Sequence, residues 1–296
     1  MIRAICIYNP ASRNAPRQSL INDLRSRFLS HGYDVEFQAT ERPLHATELA
    51  RNAAASSADL VIACGGDGTI HEVVAGLALS KMPLAILPSG TANVLARELR
   101  LPRNPLKTAD LIPGMEPRRI ALGKCGPHYF MLMAGVGIDA EAIDQLDSHL
   151  KSKFGRFAYG VAALRCWSSG CFAPLSVSVD GTRFTCTFAV VGRVSRYGGS
   201  MRITRNADLL SDRFDVCLFP GGSRLDYLRY AAGVLSGTHH RLHDVICVAG
   251  KNIEISSKEP VPIQLDGELK GFTPVKLEIV PDALTLLVPA EFGSTG

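Results

Sequence analysis

The chain has 296 residues, enough for about two domains. Hydrophobic residues make up 46% and charged residues 20%, with 27 Gly and 17 Pro, which excludes a disordered or collagen-like chain. The 32 Lys and Arg against 28 Asp and Glu leave a net charge of +4, which suits an anionic ligand or membrane surface but is too weak for a protein that wraps nucleic acid.

The N-terminal part alternates strand and helix patterns. An apolar run over residues 2–8 reads as a buried strand without the shape of a signal peptide, and it ends in Asn9-Pro10-Ala11-Ser12. Residues 18–30 carry Leu20, Ile21, Leu24 and Phe28 at helical spacing. Residues 34–39 alternate as a strand and lead into Thr40. A helix over 46–56, a strand over 59–63, a helix over 69–79, a strand over 84–87 and a short helix over 92–99 follow, with Pro102 as the stop. This alternation predicts a doubly wound α/β domain over 1–118, with parallel strands and helices on both faces.

After residue 118 strand patterns dominate, at 119–122, 129–134, 175–179, 183–191, 213–219, 245–248, 252–256, 262–265, 275–279 and 283–288. Asp180-Gly181 and Asp266-Gly267 read as hairpin turns. Helical stretches interrupt only at 140–168 and 224–236. This predicts a mostly antiparallel β-sandwich domain over 119–296, its last residues packing back on the first domain. The 8 Cys include no C-x-x-C pair and lie largely in apolar runs, as expected of reduced, buried thiols in a cytoplasmic protein without a zinc site. The longest apolar stretch, 129–138, is about half of the ~18 residues that span a bilayer, so membrane contact is expected to be peripheral.

The sharpest feature is Leu60-Val61-Ile62-Ala63-Cys64-Gly65-Gly66-Asp67-Gly68-Thr69-Ile70-His71-Glu72. A buried strand runs into three glycines and then opens a helix. In open α/β sheets ligands bind beyond the carboxyl ends of the strands. Glycines there let backbone N–H groups approach a phosphate, and the helix N-terminus adds free N–H groups and its positive dipole end. Asp67 is placed to reach a cation that bridges phosphates, and Thr69 to cap the helix or touch a phosphate. The plainer reading is a glycine-rich turn capped by Asp67. The loop is neither a Walker A loop nor a G-x-G-x-x-G fingerprint. It points to a phosphoryl donor whose charge Mg2+ neutralises. Pro88-Ser89-Gly90-Thr91-Ala92-Asn93 closes the next strand, so two glycine loops converge on one sheet edge.

Taken in order, these motifs resemble the lipid-kinase branch of the diacylglycerol kinase catalytic-domain family. The loop at 65–69 is similar to the signature shared by diacylglycerol and sphingoid lipid kinases, NAD kinases and 6-phosphofructokinases. Asn9-Pro10-Ala11-Ser12 resembles the branch's first-strand motif, and 88–93 its second glycine loop. Gly135-Val136-Gly137-Ile138-Asp139-Ala140 resembles its Gly-Phe-Asp-Ala segment. Tyr197-Gly198-Gly199-Ser200-Met201 with Ala207-Asp208 resembles the stretch before its metal loop, and Asp266-Gly267-Glu268 its acidic motif.

The resemblance implies an NAD kinase/diacylglycerol kinase-like fold and transfer of the ATP γ-phosphate to a lipid hydroxyl. It implies nucleotide contacts from Asn9, Thr40, Gly65, Gly66, Asp67, Gly68, Thr69, Gly90, Thr91 and Asn93. Val94 stands where the family often has Asp, so the catalytic Mg2+ would rely on Asp67, Asp139, water and phosphate oxygens. In the implied structural metal loop, Asp212 would offer its side chain and Leu209 and Phe214 their carbonyls, with Arg213 where the family usually has Gly. Glu268 would be the general base on the acceptor hydroxyl, with Asp266 supporting it or the metal.

Residues 146–167 combine Lys151, Lys153, Arg156 and Arg165 with Phe154, Phe157, Val161 and Leu164, and read either as a domain-packing helix or as one that lies on anionic lipid. His239, His240 and His243 read as a surface loop rather than a metal cluster. The reading that emerges is a lipid kinase of the cytoplasm, peripherally bound to membrane, using ATP and Mg2+, with its oligomeric state open and a homodimer as the form considered. The alternatives are a kinase of a soluble acceptor such as NAD and a weakly catalytic, nucleotide- or lipid-binding regulatory protein.

Overall fold

The computed structural model describes residues 1–12, 15–144, 172–198 and 201–293. The chain forms two compact units, one of residues 1–122 with 280–296 and one of residues 123–279.

The first unit begins with β1 (Ile2–Tyr8), α1 (Gln18–Ser30), β2 (Tyr33–Ala39), α2 (His45–Ala55), β3 (Leu60–Gly65) and α3 (Asp67–Leu77). β4 (Pro83–Pro88), α4 (Val94–Glu98) and α5 (Pro105–Leu111) follow. The strands run parallel in the order β2-β1-β3-β4. Thr285 and Leu286, from the last strand of the chain, pair in parallel with Pro83 and Leu84. Ala4, Cys6, Leu60, Ile62, Cys64, Ala85 and Leu87 pack with Leu24 and Phe28 of α1 and Ala109 of α5. The strand residues of opposite parity, such as Ile7, Val61, Ala63 and Ile86, are buried too. Both faces are therefore covered, as crossover helices between parallel strands require. Helix α5 was not apparent from periodicity, yet its start is local chemistry. The Asn104 side chain accepts the Leu106 N–H at 2.9 Å, and Pro105 takes the first helical position.

Helices α2 and α3 meet at Gly76. A Cβ there would lie 2.4 Å from the Thr47 carbonyl oxygen and 2.7 Å from the Ala50 Cβ. Gly76→Ala is therefore expected to destabilise the chain by about 1–3 kcal/mol, the usual cost of overpacking, despite alanine's better helix propensity. Thermal melting of the variant checks this, and a raised melting temperature would refute the close contact.

The second unit takes the end of β5 (Glu116–Cys125), then β6 (His128–Phe130), β7 (Met133–Val136) and α6 (Ile138–Asp144). β8 (Leu175–Val179), β9 (Thr182–Cys186), β10 (Phe188–Gly192), β11 (Arg196–Tyr197), β12 (Met201–Arg202) and β13 (Phe214–Phe219) follow. After them come α7 (Arg224–Ser236), β14 (Ile246–Gly250), β15 (Asn252–Ser257), β16 (Pro262–Leu265), β17 (Glu268–Phe272) and the first part of β18 (Val275–Val288). Strands β14-β13-β10-β7-β16-β17 form one antiparallel sheet. Strands β18, β15, β8 and β9 pair antiparallel in the other. Their inward residues, among them Val177, Ile253 and Leu277 from one and Val136, Val191 and Val216 from the other, share one core. This is a β-sandwich. Tyr227 and Tyr230 of α7 pack with Val190, Cys217 and Phe219 on the six-stranded sheet.

Four segments differ from their sequence pattern. The single strand expected over 129–134 is two, β6 and β7, because Phe130 pairs with Gly123 in one sheet and Ala134 with Val191 in the other. The single strand expected over 183–191 breaks at Thr187, because Cys186 belongs to one sheet and Phe188 to the other. The two strands expected over 275–288 are one, β18, whose early residues pair with β15 and whose late residues pair with β4. His239 is fully buried, its Nε2 2.9 Å from the Ile203 carbonyl and its ring against Phe219, whereas His240 lies beside Arg205 at the surface. The basic segment 146–167 lies outside the described residues.

Candidate active site

The candidate nucleotide site lies in the first unit. In the order β2-β1-β3-β4 the chain leaves β1 in opposite directions, and the crevice at such a switch point is where open α/β sheets bind ligands. The register sets Tyr8 opposite Cys64, which brings Asn9 level with Gly65 at the carboxyl ends of β1 and β3. Thr40 follows β2 at the same sheet edge, nearly buried, its N–H donating to the Tyr8 carbonyl at 2.8 Å.

The two glycine loops touch. Gly65 pairs with Pro88, and the Ser89 N–H donates to the Gly65 carbonyl at 3.0 Å. A Cβ on Gly90 would lie 2.4 Å from the Gly66 Cα, and one on Gly66 would lie 3.2 Å from the Gly90 Cα. Only paired glycines allow this approach. Gly66 caps α3, whose first residues are Asp67, Gly68 and Thr69. A Cβ on Gly65 would strike the Thr69 side chain at 2.6 Å. Gly68 and Thr91 are exposed, so the rim of this cradle is open to solvent.

Several side chains here hold the loops themselves. Asn93 has a left-handed backbone, with φ 49°, and is almost fully buried. Its Oδ1 accepts the Gly90 N–H and its Nδ2 donates to the Gly90 carbonyl, both at 2.9 Å. Asp67 Oδ1 accepts the Val94 N–H at 2.7 Å, tying the first loop to the start of α4. Asn9 Oδ1 accepts the Ala11 N–H at 2.8 Å, a local turn. Beside these side chains lie the open glycine rim and the N-terminus of an eleven-residue helix. That donor set fits the phosphates of a nucleotide.

In the second unit Asp139 opens α6. Its Oδ2 accepts from the Tyr197 hydroxyl at 2.9 Å and from Gln264 Nε2 at 3.1 Å, and its Oδ1 accepts the Ala140 N–H at 2.7 Å. Gly135 makes room, since a Cβ there would lie 1.8 Å from Asp139 Oδ2. Desolvation pushes the Asp139 carboxyl up to about 6, against the opposing pull of the Gln264, Tyr197 and backbone hydrogen bonds. The folded chain thus keeps a proton that the unfolded chain, with its ordinary value of 3.8, has already lost. Stability is expected to fall as pH rises between about 4 and about 6 and to level off above. Asp139→Asn, which carries no titrating group, should remove that slope. Urea unfolding across this range checks it, and an unchanged slope would refute the desolvated carboxyl.

Asp266 and Glu268 have separate partners. Asp266 and Gly267 form the left-handed pair of the β16–β17 hairpin, with φ 51° and 90°. Asp266 thus stands in the turn before β17. Its Oδ2 accepts the Met131 N–H at 2.9 Å, and its Oδ1 accepts those of Leu132 and Met133 at 2.8 and 2.9 Å. Glu268 Oε2 pairs with Lys270 Nζ at 2.9 Å.

The loop before β13 differs from the metal loop that the sequence suggested. The Leu209 carbonyl accepts from Arg193 Nη2 at 2.8 Å. Arg193 Nη1 donates to the Ser211 carbonyl and, at 2.8 Å, to that of Arg213. Asp212 is exposed, and Phe214 is a strand residue whose ring stacks on Phe130 at 5.7 Å. A guanidinium already sits among these carbonyls, so the loop does not fit a structural divalent ion. Among the described residues no group of three His, Cys, Asp or Glu could hold a metal. Sequence reasoning missed Arg193 and Gln264. The one signal for Arg193 was an arginine inside the otherwise apolar run Ala189-Val190-Val191-Gly192-Arg193-Val194.

A doubly wound α/β unit with two touching glycine loops, followed by a β-sandwich, defines the class of NAD kinase-like and diacylglycerol kinase-like proteins. Residues 3–125 match the diacylglycerol kinase catalytic domain, and residues 133–288 match the YegS C-terminal NAD kinase beta sandwich-like domain. A diacylglycerol kinase of Bacillus subtilis is 30% identical, over 98% of this chain and 98% of its own. A diacylglycerol kinase of Mycobacterium tuberculosis is 28% identical, over 97% and 95%. The crystal structure of a diacylglycerol kinase from Bacillus anthracis shares the fold, with a TM-score of 0.77 at 23% identity over 98% of this chain and 97% of that one. The chain belongs to the diacylglycerol kinase family and is a kinase of that family.

Proposed function

We propose that this chain transfers the γ-phosphate of ATP to the hydroxyl of a diacylglycerol-like or sphingoid-like lipid. The observation that carries the reading is the contact of Gly66 with Gly90, which builds an open, backbone-lined phosphate cradle at the N-terminus of α3. The relatives named diacylglycerol kinase support the acceptor class.

In this reading the exposed N–H groups of the glycine rim hold the phosphates. Asp67, the carboxylate of the first glycine loop, would hold the Mg2+ that accompanies the nucleotide, and that ion would neutralise the phosphate charge. Glu268 takes the proton of the lipid hydroxyl. Among the described residues no helix is long and apolar enough to cross a membrane.

The test is phosphorylation of mixed membrane lipids with radiolabelled ATP and Mg2+, the product identified by mass spectrometry. A labelled phospholipid is expected. Label on NAD instead would assign a soluble acceptor, and ATP binding without turnover would assign a regulatory role.

A further inference from the structure

The buried guanidinium of Arg193 has a consequence beyond the kinase reading and independent of it. Arg193 follows β10 and is fully buried. Its backbone N–H donates to the Leu132 carbonyl at 2.8 Å. From there the side chain enters the 208–214 loop and donates to three of its carbonyls, those of Leu209, Ser211 and Arg213. A planar cation with five fixed donors can gather several carbonyls at once, as a hard metal ion does. Asp208 and Asp212, both exposed, add favourable charge to it. Burial lowers the Arg193 pKa to about 10, which still leaves it charged at neutral pH. Next to it, a Cβ on Gly192 would lie 2.2 Å from Thr204 Oγ1, which itself donates to the Val194 carbonyl at 2.8 Å. The segment that carries Arg193 is thus pinned on both sides.

We propose that Arg193 is the permanent internal cation of the 208–214 loop, standing where the family resemblance puts a structural divalent ion, so that this chain holds the loop without metal. If the kinase reading is right, a chelator then affects turnover only through the ion that accompanies the nucleotide.

The test uses the full chain without nucleotide or lipid, so its result does not depend on that reading. Metal content is measured after dialysis, and melting is followed in EDTA and in saturating Mg2+. A structural ion at 100 times its dissociation constant would raise the melting temperature by roughly 5–10 °C. The expected result is no bound divalent metal and no shift. Stoichiometric metal that survives dialysis, or melting lowered by EDTA, would overturn the proposal.

The second arm is Arg193→Met, which keeps the length and apolar stem but removes the cation from the carbonyls. Its melting temperature is expected to drop by roughly 6–20 °C, the effect of breaking a buried charged cluster in a domain of this size. A variant that melts with the parent chain would overturn the proposal. Should the variant not fold, the metal content and chelator response of the parent chain still decide the question.

Discussion

Gly90→Ala is expected to lose nearly all nucleotide-dependent turnover. The added Cβ would lie 2.4 Å from the Gly66 Cα and 2.6 Å from Asn93 Oδ1. Neither atom can step aside. The first is backbone at the cap of α3, and the second is held by reciprocal hydrogen bonds to Gly90 itself. The loops must therefore separate by about 1 Å to reach ordinary contact, and misplacement on that scale costs about 10²-fold in rate. The loss should appear in ATP affinity as well as in kcat, because the cradle binds the phosphates before the chemistry. Gly114→Ala is the control, since a Cβ there meets nothing within 4 Å. Calorimetric titration with ATP and steady-state kinetics on both variants check this. A Gly90→Ala enzyme with parental ATP affinity would show that the cradle is not the nucleotide site.

The two acidic residues of the β16–β17 hairpin should separate into a stability effect and a rate effect. Asp266→Ala removes the acceptor from three main-chain N–H groups in the buried stretch of Met131, Leu132 and Met133. A buried donor left unsatisfied costs about 1–3 kcal/mol, so a loss of about 3 kcal/mol or more is expected. Asp266→Asn should lose less. The amide oxygen can still accept from Leu132 and Met133, while the amide nitrogen faces the Met131 N–H and accepts nothing from it. The left-handed backbone at Asp266 also suits Asn better than Ala. Glu268→Gln, by contrast, removes only a partly exposed ion pair with Lys270, worth about 0–1 kcal/mol. If Glu268 is the general base, its kcat should fall by about 10²–10⁴-fold with stability near the parent's. Chemical denaturation and kinetics on the same preparations separate the two residues. Parental stability in Asp266→Ala would refute the anchoring role, and parental kcat in Glu268→Gln would refute the base.

Much of the local architecture is legible in the sequence. Leu20, Ile21, Leu24 and Phe28 mark α1, and three of them, Ile21, Leu24 and Phe28, are buried. The bounds of α1, α7, β8 and β16 follow from periodicity and turn chemistry alone. The Asp-Gly pairs at 180 and 266 form the hairpins their left-handed preference implies, with φ 47° and 51° at the Asp. The glycine loops are legible too, because a strand that ends in glycines before a helix has few uses other than close backbone approach.

The partner of each polar group is another matter. The composition of 262–268 shows a turn with two carboxylates, and nothing in it shows that Asp266 reaches main chain 133 to 135 residues away. The break at Thr187 is equally hidden, since both halves of 183–191 are strand-like and only their neighbours in different sheets divide them. Asn93 and Asp67 read as ligands of phosphate and cation, and nothing in the sequence shows that they also tie the two loops together through Gly90 and Val94. The loop at 208–214 shows the limit most clearly. Its residues suggest oxygen ligands for a cation, and the cation is a side chain from the end of β10. Periodicity reports whether a residue meets water or core, because that depends on the repeat of its own helix or strand. The partner of a buried charge depends on which distant backbone the packed sheets bring alongside, and only the tertiary structure decides that.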